Sequence, residues 1–179
     1  MNLQHIQANP SISLRKIPTF EDEIMSGLSK LNINVQDFYL DHVCYRVETE
    51  QEYITCYNEL NQVATLLIEQ LIGGRPIATF KLHEPILVSK YNIHVSVIEL
   101  PMPKSNTFYS SGFEHCEFVI TQNLKDFADL HNVKWDFSGL NKKINSDIRI
   151  KFNNSLGKVI SVKFHNDTLE NFIKCQLLK

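Results

Sequence analysis

The sequence predicts an α+β fold in which two similar β-α-β-β-β modules form a curved mixed sheet around a cleft. The first sign is a repeated pattern, because an acidic residue precedes a histidine in two strand-like stretches, Asp41-His42 and Glu114-His115. Repeated local patterns indicate repeated structural units. The second sign is the pair Gly73-Gly74 between two apolar stretches, which predicts a tight β-hairpin.

Both histidine strands separate a polar face from an apolar one. Successive side chains of a strand point to opposite faces, so His115 and Glu117 point away from Cys116 and Phe118. In the earlier strand His42 shares the polar side with the residues at 44 and 46. We therefore expect both histidines to face the same kind of surface in their modules.

The chain of 179 residues has the length of one domain, and we predict four segments in it. These are an N-terminal helical segment at 1–37, a first module at 38–103, a linker at 104–112, and a second module with a C-terminal helix at 113–179. The N-terminal helix is expected to begin at Thr19, a candidate N-cap. Phe20, Ile24 and Leu28 follow it at helical spacing.

The composition is typical of a soluble globular protein, with 43% apolar and 21% charged residues. A net charge of −2 argues against a dedicated nucleic-acid binder. No apolar run approaches the roughly 20 residues that cross a bilayer. Met1–Pro10 lacks the apolar core of a signal peptide, so we expect a cytoplasmic protein. The four cysteines are not spaced as C-x-x-C and are expected to be free and buried.

The first module is predicted from periodicity and turn residues. Its expected elements, in order, are a strand at 40–47, a helix at 50–64, a strand at 64–72, a return strand that starts at Arg75 and ends at Pro85, and a strand at 91–100. The return strand alternates cleanly, with Lys81 and His83 on its polar face.

The second module repeats the order less clearly. Its expected elements are the His115 strand, a short helix over 124–130, a hairpin of strands at 147–153 and 158–165, and a last helix capped by Asp167 or Thr168. Residues 132–145 are ambiguous. The polar face of the last strand carries Lys163 and His165.

Eight polar-face residues would line a cleft between the modules. They are His42, Arg46, Lys81, Glu99, His115, Glu117, Lys163 and His165. Imidazoles and carboxylates are ligands for Fe, Mn, Ni or Zn. The pattern therefore predicts a divalent-metal site held on strands.

The chain resembles the YecM family of bacterial proteins across about residues 19–175. The motifs that carry the resemblance, in chain order, are Asp41-His42, Gly74-Arg75-Pro76-Ile77, Phe80-Lys81-Leu82-His83-Glu84-Pro85, Glu99-Leu100-Pro101, Gly112-Phe113-Glu114-His115-Cys116-Glu117 and Lys163-Phe164-His165. That family is similar in fold to the vicinal-oxygen-chelate group, which includes glyoxalase I, extradiol dioxygenases and methylmalonyl-CoA epimerase. The resemblance implies paired β-α-β-β-β modules and a metal cleft.

The resemblance also implies a ligand set. His42 matches the first-strand ligand of the chelate group, Glu99 the fourth-strand carboxylate and His115 the fifth-strand histidine. The fourth ligand in that group is usually a glutamate on the last strand. This chain has no glutamate in 158–165, and His165 is the candidate substitute. The resemblance therefore implies either a three-His, one-Glu site or a three-ligand site.

The predicted chemistry follows from these charges. A divalent ion would act as a Lewis acid on two adjacent substrate oxygens, with Glu117 as proton acceptor or hydrogen-bond partner of a ligand. Cations would favour a small anionic substrate. The substrate-binding candidates are Arg46, Arg75, Lys81, His83 and Lys163.

Three functions remain open from the sequence. The first is a metal-dependent isomerase, lyase or dioxygenase of the vicinal-oxygen-chelate type. The second is a non-enzymatic protein that binds a small anion in the same cleft without metal. The third is a partner-binding protein with a vestigial cleft. A monomer is the simpler expectation, because one chain carries both modules.

Overall fold

The computed structural model describes residues 12–108 and 110–178. The expectation for Met1–Pro10 concerns residues outside these ranges. The described residues confirm the α+β class, with four α-helices and seven strands in a mixed sheet. The helices are α1 (Ile17–Lys30), α2 (Glu50–Val63), α3 (Leu124–Asp129) and α4 (Leu169–Leu177). The strands are β1 (Tyr39–Arg46), β2 (Ala64–Ile72), β3 (Arg75–Val88), β4 (Ile93–Pro101), β5 (Gly112–Val119), β6 (Ile148–Asn153) and β7 (Val159–His165).

The chain divides into two compact units. Within the described residues, the first unit comprises 12–18, 43–108 and 110–114, and the second comprises 19–42 and 115–178. Most of α1 therefore belongs with the second module, although it precedes the first module in the chain. Strand β1 contributes residues to both units.

The first unit has the predicted β-α-β-β-β order. Its strands run in the order β2-β3-β4-β1, with β3 antiparallel to β2 and β4, and β1 parallel to β4. Helix α2 contacts β2, β3 and β4 and buries Tyr53, Cys56 and Leu60. The hydroxyl of Thr49 accepts a hydrogen bond from the Glu52 N–H and so caps the helix.

The second unit repeats this order of elements, except that the strand expected beside β6 is reduced to a single bridge. Strand β5 is parallel to β7, and β7 is antiparallel to β6. Beyond β6, in the part of the chain that the structure describes, the pairing continues as the isolated bridge between Asp136 and Arg149. This bridge lies in the segment that was ambiguous in sequence. Alternate residues of the hairpin are buried as expected, including Ile150, Val162 and Phe164.

Two predicted element boundaries were wrong, and proline explains both. Helix α1 begins at Ile17 and not at Thr19, because Pro18 fits the first turn of a helix, where its missing N–H is not needed. Strand β3 does not end at Pro85 but continues to Val88. Its register with β4 shifts between Lys81 and Ile86, and such an irregularity accommodates a proline within a strand.

The cysteine prediction was correct for three of the four thiols. All four are free, and Cys44, Cys56 and Cys116 are buried. Cys175 is exposed on the solvent side of α4, where the apolar stripe of a short terminal helix covers only one face. No helix within the described ranges has the length and apolar character needed to span a bilayer.

Candidate metal centre

A cluster of buried polar side chains lies within the second unit. It is formed by His42 from β1, His115 and Glu117 from β5, and Lys163 and His165 from β7. The parallel pairing of β5 with β7 places Glu117 directly beside Lys163. Alternation along each strand keeps His115 and His165 on that same face. The polar faces predicted from sequence are therefore confirmed for β5 and β7.

The carboxylate of Glu117 is the centre of this cluster. Its Oε1 lies 3.4 Å from Nε2 of His42 and 3.3 Å from Nε2 of His115. Its Oε2 lies 3.6 Å from Nε2 of His165. These four residues are 0–5% exposed, so all four are buried. Three imidazoles thus direct the same ring nitrogen toward one carboxylate.

The Nδ1 atoms of two histidines are engaged with acceptors from the protein. His42 Nδ1 donates to Oδ2 of Asp41 at 2.9 Å, and Asp41 is itself 1% exposed. His165 Nδ1 donates to the backbone carbonyl of Asp167. A proton held on Nδ1 in this way leaves Nε2 as the metal-binding nitrogen. Both rings therefore present Nε2 to Glu117.

The Nε2 atoms of His42 and His165 are buried and make no hydrogen bond within the described residues. Buried polar atoms in folded proteins nearly always have a partner, so such atoms call for an explanation. Their separation from Glu117 oxygens, 3.4 and 3.6 Å, is too long for good hydrogen bonds. Each of these nitrogens could bind a metal ion once any proton on it is released.

The electrostatics of the cluster favour ionised groups. Burial alone would raise the pKa of the Glu117 carboxyl, but Lys163 and His42 outweigh it and hold that pKa well below the usual range. Burial alone would lower the pKa of His42, but Glu117 and Asp41 raise it to about 10. Glu117 is therefore a carboxylate at every physiological pH.

The spacing of these groups fits a metal ion. The candidate ligand atoms of His42, His115 and Glu117 lie within 4.8 Å of one another. Ligands about 2.0–2.1 Å from a tetrahedral zinc are about 3.3–3.4 Å apart. The observed separations of 3.3 Å and 3.4 Å from Glu117 match that value. The residues present therefore fit a divalent ion of the Fe, Mn, Ni or Zn kind.

Lys163 already supplies a cation to the cluster. Its ammonium donates to Oε1 of Glu117, and its Nζ lies 3.1 Å from Nε2 of His115. The sequence predicted that Lys163 would bind an anionic substrate. The structure places it against two of the candidate metal ligands instead.

Two predicted site residues of the first unit, Glu99 and Lys81, lie on a common sheet face. The register pairs Glu99 with Cys44 of β1 and with Thr79 of β3. Lys81 lies two residues from Thr79 on the same face, and its Nζ donates to Oγ of Ser96 at 3.3 Å. Glu99 is half-buried. The first unit thus keeps Glu99 and Lys81 on the predicted side of the sheet.

The other three candidates of the first unit are occupied or exposed. Arg46 forms an ion pair with Glu114. Arg75 donates from Nη1 to the carbonyl oxygen of Met102 at 2.6 Å, which ties the β2–β3 hairpin to the end of β4. His83 is exposed, within the stretch where the register of β3 shifts.

Two buried acids were missed as site or core residues by sequence reasoning. Asp41 was noted only as part of the repeated acid–histidine pattern, although its position directly before His42 could have indicated its role. Glu21 on α1 is fully buried, and its two carboxylate oxygens have no hydrogen-bond partner among the described residues. Burial raises the pKa of Glu21 to about 8. Its position in the acidic run Glu21-Asp22-Glu23 concealed this burial.

The fold and the cluster define an α+β protein with a buried three-histidine, one-carboxylate candidate centre. The chain belongs to the YecM family, whose model, described as YecM protein, matches residues 10–176. The family predicted from the motifs is therefore confirmed.

Relatives share the sequence and the fold. Protein YecM of Escherichia coli (strain K12) is 30% identical over 135 residues, which are 73% of this chain and 71% of that protein. A solved structure described as Structural Genomics, Protein EC4020 is 23% identical, with a TM-score of 0.73 and 90% coverage of both chains. A Streptomyces coelicolor methylmalonyl-CoA epimerase matches at a TM-score of 0.45, with 11% identity, over 70% of this chain and 96% of that chain.

Proposed function

We propose that this protein is a metal-dependent enzyme of the vicinal-oxygen-chelate type that acts on a small anionic substrate. The reaction class is isomerase, lyase or dioxygenase. The observation that carries the proposal is the pair of buried Nε2 atoms, on His42 and His165, that face Glu117 and make no hydrogen bond within the described residues. Buried imidazoles of this kind are the usual ligands of catalytic divalent ions.

Four residues would hold the ion in this proposal: His42, His115, His165 and Glu117. Glu99, the carboxylate ligand implied by the family resemblance, stays a prediction. A bound divalent ion would supply Lewis-acid stabilisation of negative charge on a substrate oxygen. Strands position all four residues, which favours a fixed geometry over a flexible one.

The protein itself orients the histidine rings and supplies the charge of the Glu117 carboxylate. Asp41 and the Asp167 carbonyl hold the rings of His42 and His165 with Nε2 facing inward. We reassign Glu117 from proton acceptor to ligand, because a carboxyl whose pKa is held well below its usual range is a weak base. Such a carboxylate is a good partner for a cation.

The metal-free alternative, an anion-binding protein, has less support. Arg46 is paired with Glu114, and Lys163 is paired with Glu117. Arg75 and Lys81 donate to Met102 and Ser96. Cations that already have protein partners offer less to a free anion, because those partners must first be given up.

Metal content tests the proposal. Untagged protein would be analysed by plasma mass spectrometry, and its melting temperature measured with Mn²⁺, Fe²⁺, Ni²⁺ or Zn²⁺. We expect about one equivalent of one metal and a higher melting temperature with it, because a ligand of the folded state stabilises that state.

Matched histidine variants locate the ion. His115→Ala should lose the metal and the thermal shift. His94→Ala, which removes an exposed histidine from β4, should retain both. If none of the four metals raises the melting temperature of the wild-type protein, the metalloenzyme proposal is wrong.

A further inference from the structure

Lys163 contacts two of the residues that would hold a metal in the candidate centre. Its ammonium contacts the Glu117 carboxylate and also lies 3.1 Å from Nε2 of His115. Its side chain is 14% exposed, whereas the side chains of its neighbours in the cluster are 0–7% exposed. The lysine is thus the member of the cluster that lies nearest to solvent.

We propose that Lys163 is a built-in competitor of the metal, which occupies Glu117 until a divalent ion displaces it. This inference rests on the proposed function, since it concerns the regulation of the same site. Lys163 would set both the affinity of the centre and the access of ions to it.

The physical reason is that the ammonium and the ion need the same oxygen. Glu117 Oε1 accepts from Lys163 and is also the oxygen nearest to His42 and His115. Two cations cannot share one buried carboxylate oxygen without strong repulsion, which a low-dielectric site magnifies. The four-carbon stem of lysine is flexible, so the ammonium can move toward solvent.

The test compares metal affinity in matched lysine variants. Calorimetric titration of Mn²⁺ and Zn²⁺ would be performed on the wild type, Lys163→Met, Lys163→Arg and Lys151→Met. Lys151 lies on the neighbouring strand β6, pairs with Asp136 and is half-exposed, so its loss changes the net charge equally at a distance from Glu117. We expect Lys163→Met to bind at least about tenfold tighter, while the other two variants stay within about threefold of the wild type.

A second measurement needs no variant. Amine-reactive labelling followed by peptide mass spectrometry would report the reactivity of Lys163 in the wild type with and without Zn²⁺. Displacement from Glu117 should raise labelling of Lys163 several-fold when Zn²⁺ is added, while labelling of Lys151 stays constant. Unchanged labelling of Lys163 under saturating Zn²⁺ would overturn the inference even if Lys163→Met fails to fold.

The outcomes separate this inference from the proposed function. If the wild type binds metal and Lys163→Met binds equally or more weakly, the inference is wrong and the metal centre stands. If only Lys163→Met binds, the lysine blocks the site as inferred, and the wild-type protein is not a metalloenzyme. If neither binds, both proposals fail.

Discussion

Nδ1 of His42 lies 2.9 Å from a carboxylate oxygen of Asp41, the residue just before it, and both residues are buried. The same carboxylate accepts a hydrogen bond from the backbone N–H of Leu169 at the start of α4. Asp41 therefore links the orientation of a candidate metal ligand to the anchoring of the last helix. A substitution of Asp41 therefore combines two effects, which a control variant in α4 must separate.

Replacement of Asp41 should weaken metal binding. Asp41→Asn would leave His42 without its charged partner, and loss of such a partner typically lowers metal affinity by about 10- to 100-fold. Calorimetric titration with Zn²⁺ measures the change.

Thr168→Ala is the matched control for the helix effect. Its hydroxyl caps α4 by accepting from the Asn171 N–H, and removing it should cost about 1 kcal/mol of stability. Metal affinity should remain unchanged in this variant. An equal loss of affinity in both variants would show that α4, and not the Asp41–His42 contact, controls the site.

Glu117→Gln should strongly destabilise the metal-free protein. The change leaves Lys163 in a buried site without its counter-charge, which typically costs about 3–5 kcal/mol. Urea unfolding at pH 7 measures this free energy. Glu114→Gln, which breaks the more exposed pair with Arg46, should lose less than about 1 kcal/mol.

The Glu117 effect should depend on pH. The folded pKa of Glu117 lies below its usual value, so its stabilisation is present above about pH 4.5 and is lost as the pH falls through the folded pKa. The unfolding free energies of the wild type and Glu117→Gln should therefore converge in strong acid. Curves that stay parallel down to pH 2 would contradict the charge pairing.

Glu21 should produce the opposite pH dependence. Its pKa is raised by burial from 4.5 to about 8. A raised folded pKa means that the folded state is favoured in full below pH 4.5 and loses stability as the pH rises toward 8. The loss reaches at most about 5 kcal/mol, since each pKa unit corresponds to about 1.4 kcal/mol.

A neutral isostere should remove this loss. The free energy of unfolding of Glu21→Gln should vary less between pH 5 and pH 8 than that of the wild type. Asp22→Asn, an exposed carboxyl on the same helix, should follow the wild-type curve. If Glu21→Gln also follows the wild-type curve, Glu21 is ionised in the folded protein and the burial argument is wrong.

Gly27→Ala should destabilise the second unit although alanine favours helices. A Cβ at position 27 of α1 would lie 2.2 Å from Cε2 of Phe152 on β6. The overpacking should cost about 1–3 kcal/mol and exceed the gain of about 1 kcal/mol in helix propensity. Guanidinium unfolding should show the loss in Gly27→Ala and none in Ser29→Ala, which changes an exposed position of the same helix. A more stable Gly27→Ala protein would mean that Phe152 moves freely aside.

Local rules were sufficient for most of the fold. The pair Gly73-Gly74 joins β2 and β3 as predicted, with positive φ values at both glycines that other residues rarely adopt. Strand alternation also placed His115 and Glu117 on one face, because side chains two residues apart on a strand point the same way. The boundaries at Pro18 and Pro85 failed, since sequence alone does not show whether a proline lies in a first helical turn or a strand irregularity.

The sequence by itself determined the family, the α+β class, the order of the elements and the polar faces that carry His42, His115 and His165. The family followed from the resemblance of its short motifs. The class, the element order and the polar faces follow from short-range periodicity and turn chemistry, which neighbouring residues decide. Only the tertiary structure decided that Lys163 lies against Glu117, that Asp41 and Asp167 orient two of the imidazoles, and that Glu21 is buried. Those contacts depend on strand register and on the packing of distant segments, which the whole fold sets.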